Sequence, residues 1–276
     1  MLTPGPSTAF ASAVSPERID LGPVGITASD MPGALQRVET FIDDGGHHTV
    51  CFCEANLLSH ITSNPALAQV LEEADAVFAD GVALTLLARL RGQELPGRVA
   101  GPWFFLAAME YGVTRGWRHY FYGGAEGVAE TLAERMRQQY PGVQIAGTHS
   151  PPFRELSAGE EASDREMIES AKPHLLWVGL GGPKQEFWIQ AHRGVIDVPV
   201  MLAVGAAFDF HSGNRAWAPK WVRALGFEWA FRMLTGGRRT LIRNFRCVTR
   251  VAWLLAQTAW EVRRSSPACS KAGAPR

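Results

Sequence analysis

The sequence predicts an α/β fold: a mainly parallel, Rossmann-like sheet flanked by helices, with a basic helical C-terminal appendage. Three observations carry this expectation. Short apolar runs alternate with longer helix-like stretches between residues 50 and 204, the pattern of strands joined by crossover helices. Glycine turns and polar helix starts follow several of those runs. From Arg232 to Arg250 six arginines occur without one acidic residue.

The elements follow in order. Val50–Cys53 reads as a strand, and 56–73 as helix broken at Asn64-Pro65, because the residue before proline is driven out of the helical region. Ala76–Ala79 is a short strand and Val82–Leu90 a helix. Residues 103–115 read as helix, 118–122 as strand, 127–139 as helix and 143–146 as strand. A proline-rich loop at 149–153 precedes helix 159–171, strand 175–178, helix Lys184–His192 and strand 200–204. In the last segment Arg239, Arg243, Arg246 and Arg250 form one stripe of a helix. Leu241, Phe245, Val248, Ala252 and Leu255 lie on another face, with Trp253 and Trp260 as interface-type aromatics. Two readings stand for this segment: a helix docked on the core with a solvated basic face, or a helix lying on an anionic membrane.

Residues 1–22 and 265–276 are rich in Pro, Ser, Ala and Gly and are expected to be disordered. Between them lie an expected core at 23–226 and a basic appendage at 227–264 for lipid-diphosphate and membrane contact. Lys+Arg and Asp+Glu balance at 27 each, which argues against a nucleic-acid binder. The four cysteines do not form a disulfide framework in their spacing. The N-terminus lacks a signal-peptide pattern and no apolar run is long enough to span a bilayer. A cytoplasmic protein, peripheral at the inner face of the cell membrane, is the expected setting.

Three constellations carry chemistry. Asp80-Gly81 joins a strand to a helix, at the edge where open parallel sheets bind ligands. Asp80 is either a general base or a cap for the helix beginning near Val82. Tyr122-Gly123-Gly124 joins another strand to a helix, a place where amides and the helix dipole favour phosphate. A nicotinamide site wants an acid about 20 residues further on, and 143–147 supplies none. In Gly181-Gly182-Pro183-Lys184-Gln185-Glu186, Pro183 suits the first helical turn, and Gln185 and Glu186 project from it. No metal-binding pattern, nucleophile elbow or P-loop is present, so a leaving diphosphate would rely on protein donors such as arginine.

These motifs in this order resemble the WecG/TagA/CpsF glycosyltransferases, over roughly Ile26 to Arg246. The most specific parts are Ala79-Asp80-Gly81, Arg98 to Gly101, Gly179 to Glu186, Phe208 to Pro219, and Glu228-Trp229 with Arg232. The resemblance implies inverting, metal-independent transfer of a sugar from a UDP-sugar to a polyprenyl-diphosphate-linked saccharide, in cell-surface polysaccharide or exopolysaccharide synthesis. It implies Asp80 as the base, and Asn56 and Gln185 on the donor. Glu186 and the Gly123-Gly124 turn join the donor set on the residue reading. Arg98, Arg232, Arg239 and Arg243 are the acceptor or diphosphate ligands. No cofactor or metal is implied. Two departures fall near the expected sugar site: Glu54 stands for a threonine, and Trp103 for an acid. They are candidate sugar-specificity residues, and they keep both UDP-glucose and UDP-N-acetylmannosamine open as donor type. A carboxylate pair of Glu54 and Asp80 is expected to raise one pKa. Homo-oligomerisation stays open. The alternative is a non-catalytic, membrane-docked nucleotide-sugar-binding protein.

Overall fold

The computed structural model describes residues 18–214 and 237–265. A hairpin of β1 (Arg18–Asp20) and β2 (Gly25–Thr27) leads into α1 (Met31–Asp43). Then come β3 (His48–Cys53), α2 (Ala55–Ile61), α3 (Pro65–Glu73), β4 (Ala76–Ala79), α4 (Val82–Leu90) and α5 (Gly101–Val113). They are followed by β5 (Arg118–Gly123), α6 (Val128–Gln139), β6 (Gln144–His149) and α7 (Ala158–Ser170). The chain continues through β7 (Leu175–Gly179), α8 (Lys184–His192), β8 (Val200–Ala203) and α9 (Ala207–Ser212). Helix α10 covers Gly237–Ser265.

Strands β3 to β8 form one six-stranded sheet in the order β4-β3-β8-β7-β5-β6, with every pairing parallel. Apart from the edge strand β6, its strands are mainly apolar on both sides, as a doubly covered sheet requires. Cys51, Cys53, Val77, Leu176, Val178 and Met201 face one core, which α2, α3, α4, α7, α8 and α10 cover. Val50, Phe52, Phe78, Phe121, Trp177 and Leu202 face the other, under α1, α5, α6 and α9. The second core is aromatic: the buried Phe105 ring lies 4.8 Å edge-on from Trp177, 5.4 Å from Phe121 and 5.4 Å stacked on His211. The Thr27 hydroxyl accepts from the Val77 N–H at 3.0 Å and ties the hairpin to the edge strand β4.

The α/β expectation holds, and most of the expected elements appear within a residue or two of their predicted bounds. The differences lie mainly at the termini. The N-terminal segment expected to lack structure as far as residue 22 contains β1, because Leu21, Val24 and Ile26 are buried. The short alternating hairpin and α1 were not expected from the sequence. Helix α10 includes Ser265; residues 266–276, most of the expected tail, lie outside the described residues, as do 215–236.

The docked face of α10 also differs from expectation. Val251, Leu254 and Thr258 are buried, and Cys247 and Leu255 pack against the core beside α2 and α4. Phe245 and Val248 are exposed instead. Among the described residues no helix is long and apolar enough to cross a membrane.

Replacing Phe105 with Ala should leave an aromatic-lined cavity and cost about 3–5 kcal/mol, read as a lowered urea midpoint.

Candidate active site

The site is built on the carboxyl edge of the sheet. Strands β3 and β4 end in register, Cys53 opposite Ala79, so Glu54 and Asp80 leave neighbouring strand ends side by side. Asp80 is half-buried and its N–H donates to the Cys53 carbonyl at 2.9 Å. Its Oδ2 accepts from the Gly101 N–H at 3.0 Å. The side chain thus holds the start of α5, and does not cap α4, whose first residue follows Gly81 directly. Gly81 has φ 114°, a conformation that disfavours any side chain, and nothing lies within 4 Å of where a Cβ would stand. Among the described residues, none fills the space beside Gly81.

The contact with Gly101 draws two expected site residues to this end. The Val99 N–H donates to the Ala79 carbonyl at 3.0 Å, which lays residues 98–101 along the end of β4. Arg98 is exposed beside it, and Trp103, in the first turn of α5, is 39% exposed. Asn56 stands in the first turn of α2, two residues after Glu54.

The second half of the edge lies at β7 and β5. The chain leaves β5 toward β6 and leaves β7 toward β8, so the connections diverge between these two neighbours, where open α/β sheets form a ligand crevice. Gly123 and Gly179 meet there backbone to backbone. A Cβ on Gly123 would come within 2.7 Å of the Gly179 carbonyl carbon and oxygen. The Gly124 N–H donates to the Gly179 carbonyl at 3.0 Å, so this amide of the expected phosphate turn is engaged within the sheet. The Ser150 hydroxyl donates to the carbonyls of Gly123 and Ala125, both at 3.2 Å, and pins the turn.

Gln185 and Glu186 do not project from the helix start as expected. Both are buried at the start of α8, after the cis Gly182–Pro183 peptide, with Pro183 at the cap position before the helix. Gln185 Oε1 accepts from the Gly181 N–H at 3.1 Å, and Gln185 Nε2 donates to Glu186 Oε1 at 3.0 Å. The carboxamide braces its own turn. Glu186 Oε2 is buried without a hydrogen-bond partner. Burial, reinforced by the Glu54 charge, pushes the Glu186 carboxyl up to about 7.

At the β5–β6 end, the Tyr122 hydroxyl donates to Asp164 Oδ2 at 2.8 Å, and His149 Nε2 lies 3.1 Å from Asp164 Oδ1. Sequence reasoning missed this group because β6 extends to His149, beyond its expected end at 146. Arg232 lies outside the described residues. Arg239 and Arg243 belong to α10, but their side chains lie outside the description. Among the described residues, no three or more His, Cys, Asp or Glu side chains are placed to hold a metal ion.

The Glu186 pKa has a stability consequence. Its folded value lies above the ordinary carboxylate value of 4.5, so the folded state holds the proton longer than the unfolded chain. The stabilisation is fully present below about 4.5 and is lost as pH rises through about 7. Glu186→Gln keeps the acceptor for Gln185 and removes the titration. Relative to the parent, the variant should gain about 3 kcal/mol between pH 4.5 and 8. Urea unfolding across that range reads it, and a pH-independent difference would overturn the assignment.

Comparisons with known proteins place the chain among glycosyltransferases. The chain is 28% identical over 212 residues to an N-acetylglucosaminyldiphosphoundecaprenol N-acetyl-beta-D-mannosaminyltransferase of Bacillus spizizenii, covering 76% of this chain and 80% of that protein. A protein of the same description from Staphylococcus aureus (strain MRSA252) is 25% identical over 80% of this chain and 86% of its own. One from Bacillus subtilis is 26% identical over 75% and 82%. The sequence profile of the glycosyl transferase WecG/TagA/CpsF family matches residues 19–265, and the chain belongs to that glycosyltransferase family.

Proposed function

We propose that this chain is an inverting, metal-independent transferase that moves a sugar from a UDP-sugar to a polyprenyl-diphosphate-linked saccharide. The observation that carries the reading is Asp80. Its carboxylate accepts from the Gly101 N–H at the end of β4, on the same sheet edge as the β7–β5 crevice. In the proposed reaction Asp80 takes the proton of the acceptor hydroxyl. The hydroxyl oxygen attacks the anomeric carbon from the face opposite the diphosphate. The bond from that carbon to the diphosphate oxygen breaks, UDP leaves with the electron pair, and the configuration inverts.

The donor lies across the crevice, near Asn56, the Gly123-Gly124 turn and the turn that Gln185 braces. Because Gln185 and Glu186 are buried, they position this turn and do not reach the donor as the sequence expectation has it. Glu54 and Trp103 flank Asp80 and set which sugar is accepted. Arg98, Arg232, Arg239 and Arg243 face the acceptor and its diphosphate. Arginine donors then neutralise the charge that a metal would otherwise take.

The setting is the inner face of the cell membrane, with α10 on the lipid surface. Ile242, Phe245, Trp253 and Trp260 are all exposed, and at 3.6 residues per turn they fall on one side of α10, opposite the docked Val251 and Leu254. Arg246, Arg250 and Arg264 run beside them, and the Arg264 guanidinium lies 4.6 Å from the Trp260 ring centroid. Aromatic residues flanked by arginine suit a helix lying in the headgroup region of an anionic bilayer.

UDP release should be followed with UDP-glucose and UDP-N-acetylmannosamine, a short polyprenyl-diphosphate saccharide, and a metal chelator. Turnover with one donor that persists in chelator is expected. Asp80→Asn should lower it by roughly 10²-fold or more without loss of folding. Near-normal turnover in that variant would remove Asp80 as base, and tight donor binding without turnover would favour a non-catalytic binding protein. Trp253→Ser with Trp260→Ser should reduce co-sedimentation with phosphatidylglycerol vesicles severalfold; unchanged sedimentation rejects the membrane face.

A further inference from the structure

The start of α5 carries the amide that Asp80 accepts from, and it is held from a second side. Gly101, Pro102 and Trp103 form its first turn. Proline has no N–H, and the Trp103 N–H donates to the Ala100 carbonyl at 3.0 Å. Within this turn it is the Gly101 N–H that meets Asp80, 3.0 Å from Oδ2. Phe52 lies under the turn, since a Cβ on Gly101 would stand 3.3 Å from its ring. On the other side, the Pro102 carbonyl lies 2.8 Å from Nε2 of His211. A carbonyl only accepts, so Nε2 carries the proton of this bond.

His211 is itself firmly seated. It is buried in α9, the helix that follows the inner strand β8 and packs against α5 and α6. Its ring stacks on Phe105, with the two planes 11° apart. Phe105 in turn meets Trp177 of β7 and Phe121 of β5. Arg135 of α6 donates to the His211 carbonyl at 3.5 Å. Swinging the imidazole away would unpack this aromatic cluster. Direct contacts therefore run from β5 and β7, which flank the crevice, through Phe105, His211, Pro102 and Gly101 to Asp80 at the end of β4. A histidine buried for packing alone needs a partner for its N–H, and any carbonyl would serve. Here the partner is the residue next to Gly101, so the bond bears on the amide that meets the carboxylate.

We propose that His211 is a positioning residue for the transfer. By holding the Pro102 carbonyl it sets the Gly101 amide, and through that amide the direction of the Asp80 carboxylate. It acts through Asp80 and not on a substrate. The catalytic consequence rests on Asp80 as the base, as proposed above; the hold on the Gly101 amide does not.

Variants of the full chain separate the hydrogen bond from the packing. His211→Phe keeps a ring on Phe105 and removes the donor. His211→Gln replaces the ring N–H with an amide N–H of similar reach. Hydrogen exchange at Gly101, followed by NMR in protein labelled at glycine nitrogen, reads the hold without turnover. His211→Phe should speed that exchange by roughly tenfold, the scale of one lost hydrogen bond, while Gly112 and Gly179 keep their rates. His211→Gln should restore the Gly101 rate. In turnover, His211→Phe should lower kcat roughly tenfold with the donor KM within about twofold, and His211→Gln should recover it. In an Asp80→Asn background His211→Phe should add no further loss, because the two groups act as one unit. Unchanged exchange at Gly101, or an equal loss of kcat in both backgrounds, overturns the proposal. Exchange that speeds alike at Gly101, Gly112 and Gly179 means packing alone and overturns it too. Near-normal turnover in Asp80→Asn would instead strike the base assignment; faster exchange confined to Gly101 would still uphold the hold on its amide.

Discussion

A parallel sheet covered on both faces leaves its strands almost nowhere to put a charge except at their ends. Here the constraint is strict. From β3 to β8 the strand interiors are filled by apolar and aromatic side chains packed into two separate cores. The buried His119 in β5 shows the cost of an exception: burial holds it neutral, with its pKa lowered to about 3, and its Nδ1 accepts from the Trp177 indole N–H. Glu54, Asp80 and the Gly179–Glu186 turn all emerge at one edge because that is where the chain leaves the apolar layer.

Backbone contacts then set how that edge is shaped. Gly123 and Gly179 allow β5 and β7 to approach without side chains between them, and the crevice opens where their connections diverge. Asp80 is held by an amide of α5, so the catalytic candidate and the segment bearing Arg98 and Trp103 move as one unit. Glu186 is buried behind the α8 turn and braces Gln185. A carboxyl group in this position titrates near neutrality because water is excluded from it, with the Glu54 charge adding to the effect.

The C-terminal helix joins this edge to a surface of different character. Its docked stripe is apolar, its opposite stripe is apolar and exposed, and its arginines lie between. A soluble helix with a solvated outer face does not need two exposed tryptophans. The same helix packs against α2 and α4, the helices that begin just after Glu54 and Asp80, so its docked stripe borders the candidate site.

The order of elements from β3 to β8 was legible in the sequence, because alternating apolar runs and amphipathic stretches report directly on strand and helix. So were Asp80 and the Gly179–Glu186 turn, since motif spacing along the chain places them at strand ends, while Arg98 came from the family resemblance. Family membership rested on those local motifs as well. What the tertiary structure alone decided is where each side chain points. Asp80 holds α5 and does not cap α4; the partner is 21 residues away, and sequence gives no distance between them. Gln185 and Glu186 read as donor ligands but are buried, because burial depends on elements that pack from elsewhere in the chain. Arg250 reaches the Ser59 carbonyl from 191 residues away, and only folding brings such groups together.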